Sequence, residues 1–121
     1  MSEIRANTIS DAAGTGPITL TKQSAAKVVV TLNASGTIAG SASLNVSSGT
    51  DNGTGFYSAN LTNSFSADNN GIPVGCPRST DDVAGPTYMA SASEINIKVV
   101  DISAHAFEDK TTNLIAHGDL A

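Results

Sequence analysis

The sequence predicts an all-β protein, with a β-sandwich or jelly-roll-like domain that follows an extended N-terminal arm. Three observations predict it: short β-branched or alternating apolar runs, turn signals every 8–12 residues or so, and no apolar periodicity of helix length. About seven or eight strands of this kind form two packed sheets. A chain of 121 residues accommodates one such domain. We assign residues 1–27 to the arm and residues 28–121 to the domain.

The predicted arm is marked by turn-forming residues. Gly14, Gly16 and Pro17 lie within four positions and oppose regular structure. Residues 18–21 alternate and predict a short strand, whereas residues 24–27 are sufficient for one helical turn only. The arm is therefore expected to serve attachment or intertwining with other proteins.

The first strands of the domain are predicted from apolar runs. Residues 28–32 are continuous and mostly β-branched, which is typical of a strand. A weaker strand is predicted to begin at Ile38. Another is expected over residues 43–47, with Leu44 and Val46 on one face.

The clearest hairpin signal covers residues 51–55, where Asn-Gly and a second glycine tolerate the positive φ angles of tight turns. The strand that follows alternates, so Tyr57, Ala59 and Leu61 are predicted to face the core and the polar residues between them to face outward.

The second half begins with a predicted long connection over residues 66–87, which is rich in glycine and proline. Connections of that length are often functional. Further strands are predicted over residues 88–91, 94–102 and 113–117. In the second of these, one face carries Ile95, Ile97 and Val99.

Composition limits both the core and the partners. The chain has no Trp, three Phe and two Tyr, so its core is thin in the residues that bury the most surface. Such a chain gains stability by packing against copies of itself. The net charge is −5, and no basic patch supports nucleic-acid binding. No apolar run approaches the roughly 18 residues of a membrane span, and the start of the chain lacks a signal-peptide core.

No assembled catalytic, cofactor or metal site is recognisable in the sequence. His105 lies near Glu108 and Asp109, where a metal site is conceivable but a surface loop is the better interpretation. His117 stands far from His105 in sequence. Residues 51–53 and 68–71 resemble fragments of calcium loops but lack the distal glutamate, so turns are favoured.

The remaining chemically interesting residues also have simpler explanations. Asp81 and Asp82 are adjacent and are interpreted as solvated loop charges rather than an acid–base pair. Ser79 and Thr80 have no base at a recognisable spacing. Cys76 is the single cysteine, so an intrachain disulfide is excluded. It is expected to be a buried or half-buried structural thiol.

Five segments are distinctive: residues 4–21 (IRANTISDAAGTGPITLT), 25–27 (AAK), 44–48 (LNVSS), 51–57 (DNGTGFY) and 116–121 (AHGDLA). Together they resemble segments of small bacteriophage tail-fibre-like and virion structural proteins, many of them of a marine-phage type. Residues 66–93 fall outside this resemblance. The resemblance implies a structural protein of the virion surface with no catalytic residues to carry over, and it implies a homotrimer, because fibre proteins are typically threefold and threefold packing would compensate for the thin core. The lack of assembled chemistry predicts a non-enzymatic protein, and the lack of a signal-peptide core predicts that it is made in the host cytoplasm.

Three functions are weighed from the sequence. The first is a tail fibre or tail appendage for host attachment, held to other virion proteins by the arm and possibly touching a host-surface receptor. The alternative is a capsid decoration (cement) protein that clamps the head surface as a trimer, which suits a chain without a shaft. A carbohydrate-active enzyme or lectin is disfavoured because there is no Trp and no placed carboxylate pair.

Overall fold

The all-β prediction is confirmed. The computed structural model describes residues 26–40, 43–79 and 82–119, and over these ranges its only helical element is one 3-10 turn, Asp68–Asn70. Residues 1–25 of the predicted arm, including its expected strand over 18–21, lie outside the described residues.

Ten strands follow one another in the described parts of the chain. They are β1 Val28–Leu32, β2 Val46–Asp51, β3 Phe56–Leu61, β4 Gly71–Pro77, β5 Val83–Ala84, β6 Thr87–Ser91, β7 Glu94–Lys98, β8 Val100–Asp101, β9 Ala106–Phe107 and β10 Thr112–Gly118.

The strands form two main antiparallel sheets and one small one. Sheet I has the order β1-β10-β4, sheet II the order β2-β3-β7-β6, and sheet III joins the short strands β5-β8-β9. Sheets I and II contribute their inner faces to one apolar core, which is the sandwich arrangement the sequence predicts. The first and last described strands, β1 and β10, are direct neighbours in sheet I.

The core consists of twelve buried apolar residues, most of them aliphatic. Tyr57 and Phe65 are its only aromatic members. The inward-facing sets predicted from alternation in β3 and β7 are all buried, which confirms them. The core residues are Val28, Val30, Leu32, Tyr57, Ala59, Leu61, Phe65, Ile95, Ile97, Val99, Leu114 and Ala116.

The strand predicted over residues 43–47 is wrong, because the chain passes from one sheet to the other within it. Leu44 forms an antiparallel bridge with Val29 at the edge of sheet I, while Val46 starts β2 in sheet II opposite Leu61. Asn45 lies between them with a φ of 59°. Asparagine is among the few residues that adopt this left-handed conformation readily, which lets the chain turn within one residue.

The long connection predicted over residues 66–87 is also wrong, because it contains β4 and the start of β6. The prolines in this segment predict against a strand, but β4 is an edge strand that pairs only with β10. The Arg78 N–H donates to the Thr111 carbonyl, so the alternate positions Pro73 and Pro77 direct their nitrogens away from β10. No ladder hydrogen bond is lost there, which is the position in a sheet where proline is tolerated.

The strand predicted over residues 94–102 is divided in two. Strand β7 ends at Lys98, and β8 continues from Val100 into sheet III. Val99 between them is fully buried, and its N–H donates to the Gly55 carbonyl instead of to a neighbouring strand. The predicted inward direction of Val99 is right, although its place in a continuous strand is not.

The turn between β2 and β3 depends on Gly55. Its φ is +63°, and a Cβ built there would lie 2.6 Å from the Val99 carbonyl oxygen and 2.8 Å from the backbone of Glu108. Gly40 offers a comparison, since its φ is +78° but nothing lies within 4 Å of the equivalent position. An alanine at Gly40 would meet only the unfavourable backbone conformation, whereas an alanine at Gly55 would meet both that conformation and crowding by backbone atoms.

We expect Gly40→Ala to lower the free energy of unfolding by about 1 kcal/mol, the cost of a left-handed alanine. Gly55→Ala is expected to lose a further 1–3 kcal/mol or so, because its methyl group meets rigid backbone. Urea denaturation of the two variants measures the difference. Equal losses would show that the close packing around Gly55 is not a constraint.

Candidate functional site

The outer face of sheet I carries a row of apolar side chains. Val29 pairs with Ile115, Ile115 pairs with Val74, and Leu44 bridges to Val29 from the other edge. Directly paired residues project from the same side of a sheet, so these four form one line across the sheet. Together with Ile72 and Cys76 on β4, they are called the apolar face below.

Most of the apolar face is open to solvent. The exposed fractions are 50% for Leu44, 56% for Val74, 66% for Ile72 and 39% for Ile115. Burying an aliphatic side chain of this size contributes about 1.5–3 kcal/mol when it is complete. Covering what remains exposed on these four would therefore contribute roughly 3–6 kcal/mol per chain.

The apolar face also lacks formal charge. The outward positions of β1, β10 and β4 hold no Asp, Glu, Lys or Arg. The polar residues at these outward positions are Thr31, Asn113 and His117, and the Thr31 hydroxyl donates to the Asn113 side-chain oxygen at 2.9 Å. Lys27 just precedes β1 and Arg78 just follows β4. An apolar, uncharged centre with charge at its ends is the arrangement found in protein–protein interfaces.

Cys76 belongs to this face and is exposed, so its prediction as a buried or half-buried thiol is wrong. It pairs with Asn113 on β10. The reason is the alternation of β4: small or cyclic residues lie inward, and Ile72, Val74 and Cys76 lie outward. That alternation is visible in the sequence as GIPVGCP, but the proline and glycine content directed the prediction to a loop.

The free edge of β4 is unsuited to adding another strand. Pro73 and Pro77 offer no N–H there, and the Pro73 carbonyl accepts a hydrogen bond from the Thr87 hydroxyl at 3.1 Å. Edges treated in this way resist strand addition. A partner would therefore contact sheet I through its face.

The outer face of sheet II is polar and forms its own hydrogen bonds. The Ser58 hydroxyl accepts from Asn52 Nδ2 at 2.6 Å and lies 2.7 Å from both Glu94 Oε1 and Asn96 Oδ1. Asn96 Nδ2 donates to the Tyr88 hydroxyl at 3.1 Å. Ser58 was predicted to face outward and does so, but it is buried at 1% exposure because these polar neighbours cover it.

The side chain of Lys98 lies near two aromatic rings of sheet II, those of Phe56 and Tyr88. The Lys98 ammonium lies 5.3 Å from the Phe56 ring centre and 5.9 Å from the Tyr88 ring centre, within the range of cation–π attraction. Rings approached by a cation in this way are less available as platforms for sugars. The side chains on the outer face of sheet II thus interact with one another, whereas those of the apolar face remain exposed to solvent.

The residues weighed for metal or acid–base chemistry serve structural contacts. Asp109 Oδ1 accepts from the Gly55 N–H at 2.6 Å and from the Tyr57 hydroxyl at 2.9 Å. Glu108 Oε1 forms an ion pair with Lys110 at 2.9 Å. His105 has a φ of 55° in the turn between β8 and β9. Among the described residues, no group of three or more His, Cys, Asp or Glu side chains is placed to hold a metal ion.

The other sequence candidates are dispersed. His117 lies on β10, whereas His105 lies in the turn between β8 and β9. The Asp82 carbonyl accepts from the Ile102 N–H, while Asp81 and Thr80 lie outside the described residues. Residues 68–70 form the 3-10 turn, and the Asp51 carboxylate accepts from the Gly53 N–H within its own hairpin.

Comparison with known proteins yields no relative. No family model, no curated protein and no solved structure matches the chain. Within the described ranges, no helix is long and apolar enough to cross a membrane.

The buried Tyr57 hydroxyl has a raised pKa. Burial is the main cause, and the bond to Asp109 and the negative charge of that carboxylate add to it. An unfolded tyrosine ionises near its ordinary pKa of 10.0, while the folded protein holds the proton to higher pH. This contribution to stability is complete below pH 10 or so and is lost as the pH rises further.

We expect Tyr57→Phe to be less stable than the natural chain at neutral pH, by about 1 kcal/mol for the lost hydrogen bond. The difference should shrink above about pH 10, because only the natural chain loses the linked stability there. Urea denaturation at a series of alkaline pH values measures it. A difference that stays constant with pH would contradict the raised pKa.

Ser58→Ala is expected to lower the free energy of unfolding by about 1–3 kcal/mol, since it leaves Asn52 and the paired oxygens without their shared partner. Ser47→Ala is the matched control, because its hydroxyl donates to the Asn60 carbonyl at an exposed position. The control should lose about 0.5 kcal/mol or less. If both lose the same amount, the network on sheet II is not a buried one.

Proposed function

We propose that the chain is a non-enzymatic structural protein of a bacteriophage virion surface, a tail fibre or tail appendage that takes part in host attachment as a homotrimer. The observation that carries the assembly part is the apolar face, which is exposed, uncharged and continuous across sheet I. Apolar patches of this kind mark interaction sites. The phage assignment is supported by the segments that resemble tail-fibre-like proteins.

The non-enzymatic part of the proposal has its own support. The carboxylates of Asp109 and Glu94 accept hydrogen bonds from tyrosine, serine or backbone groups of the fold itself. Groups that hold loops and strands together in this way are structural. The interface chemistry of the apolar face, by contrast, suits association.

A capsid decoration protein is the second candidate. It is favoured by the shape of the described residues, which form one sandwich with no shaft-like extension between 26 and 119. A decoration trimer would place its sandwich on the head surface and use the arm, residues 1–27, to contact capsid subunits. Both candidates share the homotrimer, the virion surface and the absence of catalysis.

Copy number in purified particles tests the two candidates. Quantitative mass spectrometry against a structural protein of known stoichiometry gives the number per virion. A tail appendage predicts on the order of a dozen copies, because tails present few symmetric positions. Decoration predicts hundreds. Absence of the protein from purified particles would overturn both.

A further inference from the structure

We propose that the apolar face is the surface on which the chain meets copies of itself, with three sheets I turned toward a common threefold axis. This inference rests on the proposed homotrimer and adds the surface that forms it. Its occupant is a second and a third copy of the same chain, packed sheet against sheet.

Charge argues for a copy of this chain as the occupant. Each chain carries a net charge of −5, so two copies repel one another, and the repulsion is weakest when they meet through surfaces that carry no charge. Among the described residues, the outward positions of β1, β10 and β4 form such an uncharged surface. A strongly charged partner would find no complementary group on the apolar face, whereas an identical face offers the same uncharged surface.

The width of the face suits a threefold arrangement. The segment at Leu44, β1, β10 and β4 run side by side, and four segments at about 4.8 Å each make a face about 19 Å wide. Three faces of that width enclose a triangular prism in which each sheet lies about 5.5 Å from the axis. Packed sheets lie about 10 Å apart, so side chains from each sheet fill about 5 Å. The three rows of side chains would therefore fill the prism.

The size of the face sets the expected strength. Strand β10 has seven residues, which span about 24 Å at roughly 3.4 Å per residue. The projected area is then roughly 450 Å² per chain, divided between two neighbours, compared with about 800 Å² per partner in a standard stable interface. We therefore expect association in the micromolar range rather than the nanomolar range.

Cys76 provides a direct probe because it lies on the face and is the only cysteine. In the trimer its thiol is covered, and only dissociated chains react with a maleimide. A population that is about nine-tenths trimer slows labelling about tenfold relative to the dissociated chain. The labelling rate and the mass in solution can be measured on the same full-length sample.

The decisive variant is Val74→Glu, with Ile102→Glu as its matched control. Val74 lies in the row on the face, whereas Ile102 lies in the turn between β8 and β9, and their exposed fractions are 56% and 54%. Each substitution places a carboxylate at a half-exposed aliphatic position, so both chains should fold. Circular dichroism and urea denaturation confirm that they do.

Analytical ultracentrifugation from low to high micromolar concentration reads out the result. We expect the natural chain and Ile102→Glu to approach three times the 12.2 kDa of one chain, with Cys76 protected. Val74→Glu should stay at the mass of one chain and label about tenfold faster. The proposal would be overturned by a natural chain that stays monomeric, by a dimer, or by a Val74→Glu trimer. A monomer with a protected Cys76 would also overturn it, since the face would then be covered within one chain.

These outcomes are separable from the proposed function. A trimer that depends on Val74 but is absent from virions would retain this surface and reject the virion assignment. A protein present in virions whose Val74→Glu variant still forms trimers would do the opposite.

Discussion

The buried side chain of Tyr57 is the constraint on which one end of the sandwich depends. Its ring fills the core, and its hydroxyl bonds to both the Asp109 carboxylate and the Ala34 carbonyl. The same carboxylate oxygen accepts from the Gly55 N–H. Two connections that are distant in sequence thus meet at one phenol, and a third joins them through the Asp109 carboxylate. In a core with only two aromatic residues, this convergence determines how the loops close over the sheets.

The two outer faces of the sandwich differ in how far their side chains are satisfied within one chain. On sheet II, buried Ser58 and its amide and carboxylate neighbours satisfy one another, so that face contributes to stability by itself. On sheet I, Val74 and Ile115 have no comparable neighbours among the described residues and remain half exposed. The contrast comes from the arrangement of the side chains, since both faces belong to the same chain and share its overall composition. It is the reason for placing assembly on sheet I.

Much of the fold could be predicted from the sequence because alternation and turn chemistry are local signals. The alternating runs around Ala59 and Ile97 show which side faces the core, and the structure confirms both predictions. The apolar face was missed for a local reason as well. Pro73 and Pro77 are signals against a strand unless the strand lies at a sheet edge, and edge position is a tertiary property. The exposure of Cys76 follows from that same unrecognised strand.

The construction of β4 has a consequence for how related chains would sort. Gly75 lies inward, where a Cβ would lie 2.5 Å from terminal carbons of both the Ile97 and Thr87 side chains, so a larger residue there requires these core-facing side chains to move. The outer half, at positions 72, 74 and 76, is free of that demand. In the proposed interface, substitutions there would change which surfaces recognise one another without changing the domain that carries them. Chains with different outer residues on β4 would then share one architecture yet segregate into separate assemblies.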